Sequence, residues 1–111
     1  MIFVKEIFMN NIIKLAVFGM IFSSATAFAD EGETLYKSKC ATCHAAGVAG
    51  APILGNKDQW APRITKGMDA LMDTALNGSK VNPAMLPKGG FADLSDGQIK
   101  AIVDYMVNNS K

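Results

Sequence analysis

The sequence predicts an all-α domain of about four helices joined by long loops, and three observations lead there. Apolar residues recur at helical spacing in two segments, one around Met68 to Leu76 and one from Ile99 to Met106. No stretch alternates apolar and polar side chains as a half-buried strand would. Between the helical segments lie runs so rich in glycine and proline that neither helix nor strand continues through them. No internal repeat is visible, and 111 residues support one domain at most.

Residues 1–29 are expected to stand outside that domain as a cleaved secretory signal peptide. Lys5 and Lys14 precede an uncharged stretch from Leu15 to Ala29 that ends in Ala27-Phe28-Ala29. This is a basic n-region, an apolar h-region and a small-x-small cleavage site. A start at Met9 gives a more compact version of the same leader. The alternative is an uncleaved anchor, but about 15 residues of helix reach only about 22 Å, short of a hydrocarbon core of roughly 30 Å. Cleavage after Ala29 leaves 30–111 as an exported, periplasmic domain. The leader removes Lys5, Lys14 and Glu6 from totals of 11 basic and 10 acidic residues, so the remainder is close to neutral. Without a basic tract it has no electrostatic footprint for nucleic acid. No other segment reads as a membrane span, so no stable insertion is expected. Nothing in the pattern calls for more than a monomer. A domain this small is marginal on its core alone and often depends on a staple, a metal or a cofactor.

A first helix is expected over 31–39, with Leu35 and Tyr36 as its apolar contribution, running into Cys-Ala-Thr-Cys-His at 40–44. The following AAGVAGAPILG is an extended, turn-rich loop. A short helix fits 58–64, with Asp58 as its cap. The segment GMDALMDTALNG is a helix bounded by glycines, placing Met68, Leu71, Met72, Ala75 and Leu76 on one side. Pro83, Pro87 and Gly89-Gly90 break up SKVNPAMLPKGGFADL. The last helix opens at Ser95, with Gln98 to complete a capping box.

Cys40 and Cys43 are the only cysteines, and His44 is the only histidine. A thioredoxin-like dithiol would sit in a βαβ pattern, which is missing here. Structural zinc asks for four ligands, and this stretch holds three. A plain disulfide would close a very small loop and gain little. Covalent haem fits: thiols three apart share a helical face and can add to the two vinyl groups on one porphyrin edge, with His44 projecting toward the iron. C-x-x-C-H is the attachment signature of haem c, and in bacteria that attachment is made outside the cytoplasm, in keeping with an exported chain.

The second axial position can be filled by methionine, by lysine or by nothing. Met68, Met72 and Met106 lie in helical stripes, where core packing accounts for them. Met85 lies in a loop stiffened by Pro83 and Pro87, which suits presentation of a thioether to a metal. His44 and Met85 are therefore the expected iron ligands.

The chain at this point resembles the small class I c-type cytochromes, in particular the cytochrome c5-like group. The resemblance covers nearly all of 30–111 and rests on LYKSKCATCHAAGVAGAP, on Trp60 and Arg63, on NPAMLPKGG and on LSDGQIKAIVDYM. Some members carry a further cysteine pair that this chain lacks. The resemblance implies a class I fold with one covalent haem, in which the first and last helices cross through Leu35, Tyr36 and the Ile99 to Met106 stripe. It implies that the Pro52 carbonyl accepts from His44 Nδ1–H, fixing the tautomer and leaving Nε2 for iron. It also implies that Trp60 and Arg63 lie near a haem propionate and supply donors to it.

With both axial positions taken, the iron has no vacancy for a substrate, and Met/His ligation raises the reduction potential. The expected function is single-electron transfer, not enzymatic catalysis. Its partners would be transient redox proteins, a membrane oxidase or reductase among them, meeting small and apolar residues at Ala51, Ile53, Val81, Ala84 and Leu86. Lys57, Lys80 and Lys88 would form a basic rim. The competing readings are a haem enzyme or gas sensor with a labile sixth site, a thiol–disulfide protein, and the same carrier tethered by an uncleaved leader.

Overall fold

Four helices and two 3-10 turns account for the regular structure of the computed structural model, which describes residues 30–111. The expected leader and its cleavage point lie outside the described residues. Helix α1 occupies 30–44, α2 Lys57–Thr65, α3 Met68–Asn77 and α4 Asp96–Asn108; the 3-10 turns are Val48–Gly50 and Pro87–Gly90. No strand occurs among the described residues.

Helix α1 is longer than its apolar pattern suggests and contains a π-helical stretch, Tyr36–Cys40. Ala41 N–H donates to the Tyr36 carbonyl five residues back, and Ala41–His44 then returns to α geometry. The π turn inserts one extra residue per turn and so re-aims the side chains that follow it. Those side chains are the C-x-x-C-H motif. The helix ends where Gly47 takes φ +77°, a left-handed conformation that glycine adopts without steric cost.

The core is built where α1 meets α4. Tyr36, Trp60, Leu94, Ile99, Ile102, Val103, Met106 and Val107 are buried together. Tyr36 and Tyr105 meet with ring centroids 5.4 Å apart and planes tilted by 44°, a favourable aromatic arrangement. Leu35 packs against this cluster from its edge. What lets the helices approach so closely is Gly32: a Cβ there would collide with the backbone carbonyl of Ala101 and touch the Cβ of Tyr105.

The other helices follow their local signals, with two corrections. Helix α2 is capped by Asn56, whose side chain accepts from Gln59 N–H at 3.0 Å, and the expected cap Asp58 lies inside the first turn. There its carboxylate still favours the positive end of the helix dipole. In α3, Leu71, Met72, Ala75 and Leu76 pack toward the core, but Met68, at the first helical position, is exposed. Helix α4 opens with the full capping box: Ser95 Oγ accepts from Gln98 N–H at 3.1 Å, and Gln98 Oε1 accepts from Ser95 N–H at 3.0 Å.

Gly32→Ala should destabilise the protein by about 1–3 kcal/mol, because a backbone carbonyl cannot rotate out of the way of a new methyl as a side chain can. Gly97→Ala, in α4, meets nothing closer than Ser95 Oγ at 3.9 Å. It should be neutral or stabilising by up to about 1 kcal/mol. Urea unfolding of the two variants beside the parent checks both signs.

Candidate functional site

The last turn of α1 carries Cys40, Cys43 and His44 onto the wall of a cavity of about 450 Å³. The loop from Val48 to Pro52, the inner face of α2 and α3, and the Ser79–Met85 loop complete it, with Val103 and Met106 of α4 behind. All seven residues expected at the site, Cys40, Cys43, His44, Pro52, Trp60, Arg63 and Met85, line this one cavity.

His44 is held at two points. Its Nδ1 lies 2.9 Å from the Pro52 carbonyl, and its own carbonyl accepts from Leu54 N–H at 2.9 Å. A carbonyl accepts only, so Nδ1 carries the proton and Nε2 is left as the lone-pair nitrogen. The loop behind Pro52 is braced from three directions. Ile53 N–H donates to Gln59 Oε1 at 2.8 Å, Trp60 Nε1–H donates to the Ile53 carbonyl at 2.9 Å, and Gly55 N–H donates to Ser110 Oγ at 2.9 Å. Ser110 is 1% exposed, so its hydroxyl is buried with this amide as its acceptance.

Trp60 has a single N–H, which the Ile53 carbonyl receives, so here the indole is a wall of the cavity and a tie to the His44 loop. Arg63 donates one Nη1–H to the Gln59 carbonyl and keeps other N–H groups for the cavity it lines.

Met85 is placed by its backbone. Met85 N–H donates to the Asn82 carbonyl at 3.1 Å, and the Met85 carbonyl accepts from Ser79 N–H at 3.0 Å. Gly78 makes the return possible: its φ is +86°, and a Cβ there would sit 3.0 Å from the Met85 carbonyl. The loop then leaves through Lys88, at φ +54°. Lys88 Nζ donates to the Leu94 carbonyl at 2.6 Å and pairs with Asp96 at 3.4 Å. The expected rim cation is thus a strut between the methionine loop and the start of α4, while Lys57 and Lys80 are exposed.

Gln59, Ser110 and Asn82 carry this bracing and were not legible as site residues. Ser110 acts on backbone 55 residues away, and Gln59 acts across a loop on backbone six residues before it, so neither leaves a helical or turn signal. Asn82 had one, since asparagine beside proline in a loop commonly bonds to nearby backbone.

The lining suits a haem. Both thiols are free, and they stand one helical turn apart on the same wall. Burial pushes the Cys40 thiol above its ordinary pKa, and the neighbouring Cys43 adds to the shift. The remaining wall is mostly small and apolar, as a flat macrocycle requires. The charged side chains on it, Lys39, Arg63 and Lys66, are all basic, which suits a group with anionic substituents. A helical fold that closes such a cavity over C-x-x-C-H thiols is that of a c-type cytochrome.

Comparison with known proteins agrees. A family model described as cytochrome c oxidase, cbb3-type, subunit III, matches residues 27–106. Cytochrome c-555 of Chlorobaculum tepidum is 42% identical over 108 residues, covering 93% of this chain and 100% of the relative. Cytochrome c5 of Ectopseudomonas mendocina is 35% identical over 86 residues, covering 76% of this chain and 95% of the relative. A cytochrome c solved in an electron-transfer complex with nitrite reductase superposes with a TM-score of 0.66 at 44% identity, covering 73% of this chain and 95% of that one. The chain belongs to the cytochrome c family, as a class I, c5-like member. It is an electron carrier and not an enzyme, and its cofactor is covalent haem c.

Trp60→Phe should keep the wall and remove one of the two donors to the Ile53 carbonyl, which retains Asn56 N–H at 3.0 Å, at a cost of about 0.5–1 kcal/mol. Gln59→Met should leave Ile53 N–H without its acceptor and cost more, about 1–3 kcal/mol. Urea midpoints of the haem-loaded variants are the measurement, with an unchanged midpoint counting against the bracing role.

Proposed function

We propose that this protein is a periplasmic mono-haem shuttle whose iron is held between His44 and Met85, with thioether bonds at Cys40 and Cys43. The observation that carries the reading is that all four residues line one cavity, on walls that are separately braced. Haem c supplies a one-electron ferrous–ferric couple, and Met/His ligation raises its potential. The chain's own part is to hold the geometry. Pro52 keeps the proton on Nδ1 of His44, which directs Nε2 at the iron and raises its basicity. Gly78, Ser79 and Asn82 fix the backbone of Met85. Rigid ligands on both sides leave little to rearrange between oxidation states, and they leave no open position for a substrate.

The partners follow from the mouth of the cavity. Val48, Ala51, Val81 and Ala84 line it, with Val48 and Ala84 exposed and Val81 94% exposed; Leu86, next in the chain after Met85, is exposed too, and Ile53, next after Pro52, is half-buried. A small apolar rim of this kind suits brief contact with another redox protein. A terminal reductase or oxidase is the partner class we propose, in keeping with the nitrite reductase complex of the related cytochrome c. Lys57 and Lys80 would bias the encounter toward an acidic surface. Among the described residues no helix is long and apolar enough to cross a membrane. A leader removed after Ala29 accounts for delivery to the compartment where haem c is attached, and the N-terminal mass of the isolated protein tests this.

The first test is an absorption spectrum of the oxidised and reduced protein. Haem c bands are expected, with the weak far-red band of iron–thioether ligation in the oxidised form. Met85→Ala should abolish that band and lower the potential, and Met72→Ala should leave the band in place. Loss of the band in Met72→Ala, or its survival in Met85→Ala, would falsify the ligand assignment. Replacing Cys40 and Cys43 together with serine should make the haem extractable by acidified organic solvent.

A further inference from the structure

One hydrogen bond joins the two walls of the haem cavity, and Asn82 makes it. Asn82 Nδ2 donates to the Ala49 carbonyl at 2.8 Å, reaching from the methionine loop to the turn that follows the C-x-x-C-H helix. The rest of the residue organises its own loop. Asn82 Oδ1 accepts from Ala84 N–H at 3.1 Å, its N–H donates to Ser79 Oγ at 3.0 Å, and its carbonyl accepts from Met85 N–H at 3.1 Å. The loop is thus closed on itself around Asn82, and the bond to Ala49 is the one of these four that leaves it. The opposite wall is shaped to receive it. Ala49 stands at φ +54°, a left-handed conformation that is unfavourable for a non-glycine residue. Beside it, Gly50 stands at φ +82°, and a Cβ there would lie 3.4 Å from Asn82 Nδ2. Such unfavourable backbone persists where surrounding contacts hold it.

We propose that Asn82 is a positioning residue, a latch between the two walls that sets how firmly Met85 stays on the iron. The inference rests on the reading of Met85 as an axial ligand. A thioether is neutral and a weak donor, so its retention depends on how far its loop can swing. Swinging the 79–85 loop away from the iron breaks the Asn82–Ala49 bond. Any competing ligand for the iron must therefore displace the latch as well as the sulfur.

Two substitutions separate the latch from the brace. Asn82→Asp keeps an oxygen for Ala84 N–H but sets an acceptor against the Ala49 carbonyl, so it breaks the latch alone. Asn82→Ala removes both side-chain bonds. Asn109→Ala is the control: Asn109 Nδ2 donates to the Tyr105 carbonyl at the far end of α4, and Asn109 does not line the cavity. The experiment titrates the oxidised, haem-loaded proteins with imidazole and follows the loss of the far-red thioether band, with thermal midpoints measured in parallel. Asn82→Asp should bind imidazole about fivefold more tightly than the parent, the size expected for one net hydrogen bond. Asn82→Ala should bind it at least as tightly, and Asn109→Ala should match the parent. Equal affinities in the parent and Asn82→Asp overturn the latch, as does an equal gain in Asn109→Ala, which would trace the effect to general loss of stability. A parent protein without the far-red band overturns the Met85 reading and the latch with it, whereas a parent that has the band isolates the latch.

Discussion

The geometry of the whole molecule hangs on one close approach, the backbone of Gly32 in α1 against the carbonyl of Ala101 in α4. Helix α1 carries both thiols and His44, and α4 supplies Val103 and Met106 to the back of the same cavity. The depth at which α1 crosses therefore sets where the C-x-x-C-H turn sits relative to the cavity's rear wall. Tyr36 and Tyr105 then lock the rotation about the crossing. Eight buried apolar side chains are a small core for a domain of this kind. Tight backbone contact and a covalent cofactor compensate for that shortage.

The rest of the site is polar bracing of loops. Loops of this length normally leave their backbone groups to water and move accordingly. Here Gln59, Trp60 and Ser110 tie down the segment that holds His44, and Ser79, Asn82 and Lys88 tie down the one that holds Met85. Each bond is modest in net free energy; the larger cost falls where a broken bond leaves a backbone group unsatisfied, as at Ile53 N–H, whereas the Ile53 carbonyl keeps Asn56 N–H. The two loops are thus stiff without belonging to any helix. For a carrier that stiffness is the functional property, because nuclear rearrangement during electron exchange is what slows it.

Much of this could be read from the residues. The helical periods of α3 and α4, the glycines that bound α3 and the capping box at Ser95 are local signals, and the structure follows them. The chemistry of 40–44 was equally readable, because two cysteines and a histidine at that spacing admit few uses. Three features escaped. The π turn at Tyr36–Cys40 has no composition of its own to announce it. Asn56 took the capping role from Asp58 because the helix begins two residues before a cap at 58 would start it, and either residue type is suited to it. The partners of Trp60 and Lys88 are backbone carbonyls, and a carbonyl looks the same at every position in a sequence. Where a side chain's partner is another side chain, type and spacing inform; where it is backbone in another loop, only the fold does.

Charge completes the physical picture of the encounter. Residues 30–111 are close to neutral, so no strong long-range field draws a partner in. Tying Lys88 to Leu94 and Asp96 also takes one cation out of the proposed rim, which leaves Val48, Val81, Leu86 and their small neighbours as the proposed contact surface. Burial of so few apolar side chains gives a short-lived complex, and slow dissociation would limit turnover of a carrier more than weak binding would. A weakly steered, apolar, easily parted contact over a rigid haem edge is consistent across every level from composition to loop geometry. The same rigidity is why the proposed latch at Asn82 would serve transfer as fully as the proposed rim does.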